Sequence, residues 1–324
     1  MIDFVGKKHW FFLVSWLLVI MGVVALIVSQ VQLGSPLRLG TDFTGGTSFT
    51  LQFSSPVGRS QLAQEMDTLG YSQVDITSAG TNSFSVVYGA EISDQQVQAL
   101  QNSLENDLGT QVQVSGYSYR SGTISAATAR NAGIAVIVAA VAMLFYVVWA
   151  FRRMPSPFRW GTCAIIALIH DVFIIVGIFA LLGLLAGVQI DTLFITGLLT
   201  VVGYSINNTV VVFDRIRENK TRGISSDFAV TVNSSIVETL GRCLNTSLTT
   251  FFVALALFLF GGASIHYFVL VLLLGVTIGL YDSVFIAGEL LVVWEKREWR
   301  ALLPLPRRPV QPELSRHSLN AKQI

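Results

Sequence analysis

Six apolar runs of twenty residues or more decide what this chain can fold into: about 10–29, 132–151, 160–184, 190–213, 239–260 and 267–294. A helix needs about 20 apolar residues to cross the hydrocarbon core of a bilayer. Lipid offers no hydrogen bonds, so each backbone N–H and C=O must be satisfied within its own segment, and runs of this kind must be helices. The remaining composition agrees. Only 13% of the 324 residues are charged, where a soluble domain carries roughly 25%. A net charge of +1 argues against a nucleic-acid partner. Cys163 and Cys243 lie near expected membrane ends and read as reduced packing residues, too few for an extracytoplasmic disulfide framework.

The first run has the look of a secretory signal. Its apolar core is longer than the roughly 7–15 residues of a signal h-region, and no small-residue cleavage site follows. It is therefore expected to remain as the first span, in a segment 1–30, with Lys7 and Lys8 holding the N-terminus inside.

Between the first two spans the pattern changes. Residues 47–53 alternate as a half-buried strand does. Leu62, Met66 and Leu69 fall at helix spacing within 60–69. Short strands are expected at 74–77 and 84–88, separated by Gly80, Asn82 and Ser83. Ser93 is placed to cap a helix running to Leu108, with Gly109 at its end. Alternation returns over 111–119. The order β-α-β-β-α-β is the ferredoxin-like pattern. The expectation is a polytopic α-helical membrane protein with one inserted α+β domain, 31–128, on the outside. A bundle at 129–294 and a basic, mobile tail at 295–324 complete the chain. Such a fold does not by itself carry a function.

Charge sets the expected orientation. Of the 21 Lys and Arg, all but Arg38, Arg59, Arg120 and Arg130 fall in segments expected inside. The short outer turns 184–191 and 261–266 contain none, as the positive-inside rule demands of short loops. Both termini are thus expected inside.

Several polar residues sit within the spans. At about 1.5 Å of rise per residue, Asn208, Arg242, Asp282 and Asp171 all lie roughly 20–28 Å from the nearest outer turn, in the inner half of the membrane. An Arg or Asp at the centre of a span costs about 2.5–3.5 kcal/mol on insertion scales, and ion relays are where such clusters recur. For Asn207 and Asn208 the alternative is helix-to-helix glue; for Asp171, a simple interhelical hydrogen bond. Arg242 could equally snorkel to the inner headgroups. His170 is expected to point about 100° away from Asp171. Asp214, Arg215, Arg217 and Glu218 read as a solvated helix end. Asp282 and Arg242, at similar depth on consecutive antiparallel helices, are expected to pair, either as a switchable proton site or as a static ion pair. Glu289, seven residues beyond Asp282, is expected on nearly the same face.

Five stretches then carry a resemblance. Leu39-Gly-Thr-Asp-Phe-Thr-Gly-Gly46, Ile166-Ala-Leu-Ile-His-Asp171, the segment 203–219, Thr239-Leu-Gly-Arg242 and Phe260-Gly-Gly262 are together similar to the SecF family of the resistance-nodulation-division superfamily. The resemblance covers the whole chain apart from the tail. It implies a SecD partner, a neighbouring SecYEG channel, a YidC-type insertase nearby, and unfolded exported polypeptides as clients. It implies a multi-pass protein of the bacterial cytoplasmic membrane, or of a thylakoid, that assists export with a proton or sodium gradient and needs no other cofactor, no metal and no catalytic residues. Asp42, Gly45 and Gly46 would be hinge or motif residues; Asp42 alternatively caps the first span. Family members usually read Asn-Asp where this chain reads Asn207-Asn208, and an amide does not titrate. The resemblance also sets a small hydroxyl residue where this chain has Asp282, so Asp282 is expected to take over the titrating role. The other readings are a small-molecule exporter of the same superfamily and a passive scaffold for the translocon.

Overall fold

A computed structural model describes residues 3–72 and 74–302. The mobile tail expected beyond the last span lies, from 303 onward, outside the described residues. Helix α1 (Lys8–Leu33) ends on Gly34 in the left-handed region, φ 73°. The chain then makes a single-turn helix α2 (Thr41–Thr44) and enters the domain: β1 (Gly46–Phe53), α3 (Arg59–Thr68), β2 (Asp75–Gly80), β3 (Ser83–Tyr88), α4 (Asp94–Leu108) and β4 (Val112–Arg120). The antiparallel sheet runs β2-β3-β1-β4, the ferredoxin-like order. Its register sets Leu51 opposite Phe84 on one side and Val114 on the other.

Inward positions of the strands, among them Phe49, Leu51, Phe53, Ile76 and Val86, pack on Leu62 and Met66 of α3 and on Val97, Leu100 and Leu104 of α4. Ser93 caps α4 reciprocally with Gln96, which satisfies two orphan donors of the first turn. The alternation expected along the last strand stops early. β4 is an edge strand, and past the register shift between Ser48 and Thr50 its second half is exposed, Tyr117 and Tyr119 included.

Helices α5 (Gly122–Ala150), α6 (Pro157–Ala186), α7 (Thr192–Arg222), α8 (Phe228–Phe260) and α9 (His266–Asp282) follow. The last continues through a π-turn, Ser283–Ala287, into α10 (Gly288–Lys296). With α1, these make six helical segments, among the described residues, long and apolar enough to cross a membrane. Two boundaries differ from expectation. Helix α5 starts directly after β4, so residue 128 falls inside it. The polar segment 214–238 is helical at both ends and leaves only 223–227 as linker. Side-chain pairing explains the second difference. Arg215–Glu218, Arg217–Asp214 and Arg222–Glu218 pair along α7 at helix spacing, and Asn219 bonds Ser235 and Glu238 across to α8.

Small residues let the membrane helices close on one another. Gly275 of α9 lies against Val201 of α7, and Gly279 against Ser205; Gly22 of α1 meets Gly177 of α6 backbone to backbone. By contrast α5 turns an apolar flank outward, with Ile137 64% and Phe145 63% exposed. The domain is tied to the turn between α6 and α7. Ile190 and the 38–40 strand exchange two backbone hydrogen bonds of 2.9 Å, Arg38 pairs with Asp75, Gln189 donates to Asp75 at 2.8 Å and Thr77 donates to the Gly187 carbonyl.

Candidate functional site

The close approach of α6, α7 and α9 encloses a polar cluster in the middle of the bundle. Asp171 and Asp282 are both fully buried, and His170 Nδ1 stands 3.6 Å from Asp171 Oδ1 and 3.2 Å from Asp282 Oδ1. Those are ion-pair distances, and neither contact makes a hydrogen bond. Ser205 donates to Asp171 Oδ2 at 2.5 Å. One layer away, the Thr209 and Ser283 hydroxyls share a hydrogen bond of 3.0 Å. Asn208 donates to Ser247 of α8 at 3.2 Å, and the Tyr204 hydroxyl meets the same Ser247 at 3.2 Å.

Three expectations need correction. Arg242 does not pair with Asp282. It is exposed on α8 and lines a hollow of about 370 Å³ with Asp214, Arg215, Glu218 and Glu238. Depth along the two helices is similar, but their rotation separates the side chains: Asp282 faces α6, whereas the inward positions of α8 at this level are Cys243 and Ser247. His170 is not turned away from Asp171, because its Nδ1 lies within ion-pair distance of both Asp171 and Asp282. Asn207 and Asn208 do not both face other helices within this chain: Asn208 is buried and Asn207 exposed. Glu289 is fully buried, as its face suggested, but the π-turn intervenes, and neither of its carboxylate oxygens has a hydrogen bond among the described residues. The hydroxyls of Ser205, Thr209, Ser247 and Ser283 were not singled out in the sequence. Their signal was available: hydroxyls on an apolar helix mark a face that packs on protein.

At the domain side, Asp42 does not cap α1. It accepts from the Thr192 backbone N–H at 3.0 Å and from the Thr192 hydroxyl at 2.7 Å, and it pairs with Arg120 at 3.1 Å. Burial pushes its carboxyl up, but the Thr192 bonds and then the Arg120 charge outweigh burial and hold it below the usual range. Asp42 thus clasps the start of α7 to the end of β4. Gly45 and Gly46 form the turn just before β1, both at positive φ, 79° and 104°. Beside them lies a hollow of about 500 Å³ between the open face of the sheet and the ends of α7 and α9, bordered by Ser48, Thr77, Ser85, Gln189, Asp191 and His266.

A second polar feature lies on the outside of the bundle. Thr192, Thr196, Thr200 and Asn207 are exposed along one face of α7, and Arg242, Asn245, Thr246, Thr249 and Thr250 along the neighbouring face of α8. The threonines return hydrogen bonds to their own helices, for example Thr200 to the Thr196 carbonyl at 2.8 Å and Thr246 to the Arg242 carbonyl at 3.0 Å. Among the described residues Asn207, Asn245 and Arg242 have no such local solution. Among the described residues Arg242 has no ion-pair partner.

Comparison with known proteins gives a consistent result. Residues 100–297 match the family described as protein export membrane protein SecD/SecF, C-terminal, and residues 32–57 match the SecD/SecF GG motif. The chain is 39% identical to the protein translocase subunit SecF of Thermobaculum terrenum, over 92% of this chain and 96% of that protein. It is 38% identical to the SecF of Anaerolinea thermophila over 93% and 96%. The crystal structure of SecDF, a translocon-associated membrane protein from Thermus thermophilus, superimposes with a TM-score of 0.79 at 32% identity. That match covers 91% of this chain but only 39% of the SecDF chain.

Proposed function

The chain belongs to the SecD/SecF family of protein export membrane proteins, and on that premise we propose that it is the SecF-type half of an export motor whose other half is a SecD protein. The observation that carries the reading is the exposed polar face of α7 and α8. Unpaired amides and a guanidinium do not face hydrocarbon without a cost of several kcal/mol, so this face is covered by protein. The matched part of SecDF leaves room for that protein, because most of the SecDF chain lies outside the match. SecD helices packed here would bring a carboxylate to Arg242, and the pair would couple a proton or sodium gradient to export of unfolded polypeptides. The domain lies outside the cell membrane beside a SecYEG channel and a YidC-type insertase, with both termini in the cytoplasm; a thylakoid is the alternative membrane. The chain makes and breaks no covalent bond and uses no cofactor beyond the coupling ion. A domain of this size, Gly46 to Arg120, is small for a small-molecule exporter of the superfamily, and a charged, uncovered face speaks against a passive scaffold.

The test is site-directed cross-linking in membranes that also hold a SecD protein from the same organism. Single cysteines at Thr200, Asn207 and Thr246, in a variant lacking Cys163 and Cys243, should cross-link to SecD, whereas one at Ile137 on the apolar flank of α5 should not. Equal cross-linking from Ile137, or none from the polar face, would dispose of the proposed interface. Orientation is read in the same membranes. A cysteine at Thr81 in the β2–β3 turn should react with an impermeant thiol reagent added outside and one at Ser226 should not; the reverse pattern would invert the topology.

A further inference from the structure

The cluster enclosed by α6, α7 and α9 is separate from the exposed face assigned to SecD. Its chemistry is unusual for the interior of a membrane protein. One ring nitrogen of His170 and one oxygen from each of Asp171 and Asp282 lie within 4.8 Å of one another. Asp171 Oδ1, both oxygens of Asp282 and both ring nitrogens of His170 are buried without a hydrogen bond among the described residues. Ser205 satisfies the fourth carboxylate oxygen. With both carboxylates ionised, the cluster carries net negative charge whether the imidazole is neutral or cationic. An uncompensated charge at this depth costs several kcal/mol.

Among the described residues nothing nearby balances the deficit. The ionisable groups that act on Asp171 and Asp282 are each other and His170. Helix α7 carries no charged side chain from Thr192 to Phe213; its nearest polar groups are the hydroxyls of Ser205 and Thr209. Helix α1 carries no ionisable side chain between Trp10 and Leu33. On α8 the charged groups Glu238 and Arg242 are exposed on the other side of the helix, and α5 brings only Arg130 and Tyr146. On the α9–α10 helix the neighbours are Tyr281, whose hydroxyl donates to the Phe11 carbonyl, and Glu289, on which Lys8 and Asp3 act.

We propose that His170, Asp171 and Asp282 form a buried proton-binding site in which one excess proton is held between the two carboxylates, with the imidazole as the counter-charge. The proposal rests on the reading of the chain as an ion-coupled export subunit and deepens it by adding, to the Arg242 site that faces SecD, a proton site inside this chain. The unbonded oxygens of Asp282 and Asp171 are the acceptors. The Ser205 bond keeps Asp171 turned into the cluster.

The measurement is infrared difference spectroscopy of the full chain in lipid nanodiscs across a pH titration. The wild type should show a protonated-carboxyl C=O band that persists into the neutral range and fades as pH rises. Asp282→Asn should remove that component. Asp282→Ser, which places a small hydroxyl beside Ser283, should do the same and covers the case in which the amide fails to fold. Glu289→Gln removes the other buried unbonded carboxylate and should leave the component in place. A spectrum unchanged in both Asp282 variants would overturn the site. So would one metal ion per chain by elemental analysis that both variants lose, since a metal would then be the missing charge. Cross-linking to SecD from Asn207 and Thr246 in the same variants separates failure of this site from failure of the export reading.

Discussion

Gly46→Val should strongly destabilise the outer domain. At φ 104° any side chain is held in a region that costs about 1–2 kcal/mol for an L-residue. A Cβ at this position would also run into the Tyr88 carbonyl oxygen and stand 3.1 Å from Gly89 Cα. These are backbone atoms of the β3 end of the sheet, so they do not rotate aside. Overpacking of that kind costs about 1–3 kcal/mol more. The sum, roughly 2–5 kcal/mol, consumes much of the stability of a domain of about 75 residues, which is about 4–11 kcal/mol at typical values per residue. Limited proteolysis of the full chain in membranes should show rapid cutting between β1 and β4, and the protein should accumulate poorly. Gly89→Ala is the matched control, because a Cβ there meets nothing within 4 Å. Resistance of Gly46→Val to protease equal to that of the wild type would contradict the packing described here. The same geometry rules out proline at Gly45 and Gly46 as a probe of hinge motion. Proline fixes φ near −65°, so the double variant would report misfolding instead of a slowed domain.

Arg242→Ala should remove gradient-driven export while SecD still co-purifies. The guanidinium is exposed on a membrane-crossing helix, at roughly 27 Å of helical rise from the outer end of α8. It stands close to a wall of paired acids already engaged with one another, Glu238 and Glu218 with Arg215, and Asp214 with Arg217. A partner carboxylate opposite Arg242 would supply an ion pair that forms and breaks with proton or sodium uptake. Alanine removes the charge but leaves the threonine and asparagine contacts that dock the face. Export driven by a gradient in vesicles is expected to fall about tenfold or more, equivalent to about 1.4 kcal/mol or more of lost coupling. Arg242→Lys should retain part of it, because lysine keeps the charge without the forked geometry. Loss of SecD co-purification together with export would instead make Arg242 a docking residue, and unchanged export would remove it from the coupling scheme.

The elements of this protein were legible in the sequence because they depend on local quantities. Span length, the alternation of 47–53 and the Ser93 cap all arise within a few residues of one another. The six spans, the domain and its strand order accordingly match the structure. Membership in the SecD/SecF family also rested on motifs read in order along the chain. Depth in the membrane was nearly as legible, because it follows from counting residues along a helix. Rotation was not. Each residue turns a helix by about 100°, so a small error in phase moves a side chain to another neighbour. Asp282 and Arg242 lie at similar depth, yet one faces His170 and Asp171 and the other faces out. That choice is made by where Gly275 and Gly279 let α9 approach Val201 and Ser205 of α7, and by contacts with helices far away in sequence. The ionisable residues of the buried cluster were all visible as candidates, but only the packing of three helices could say which of them meet.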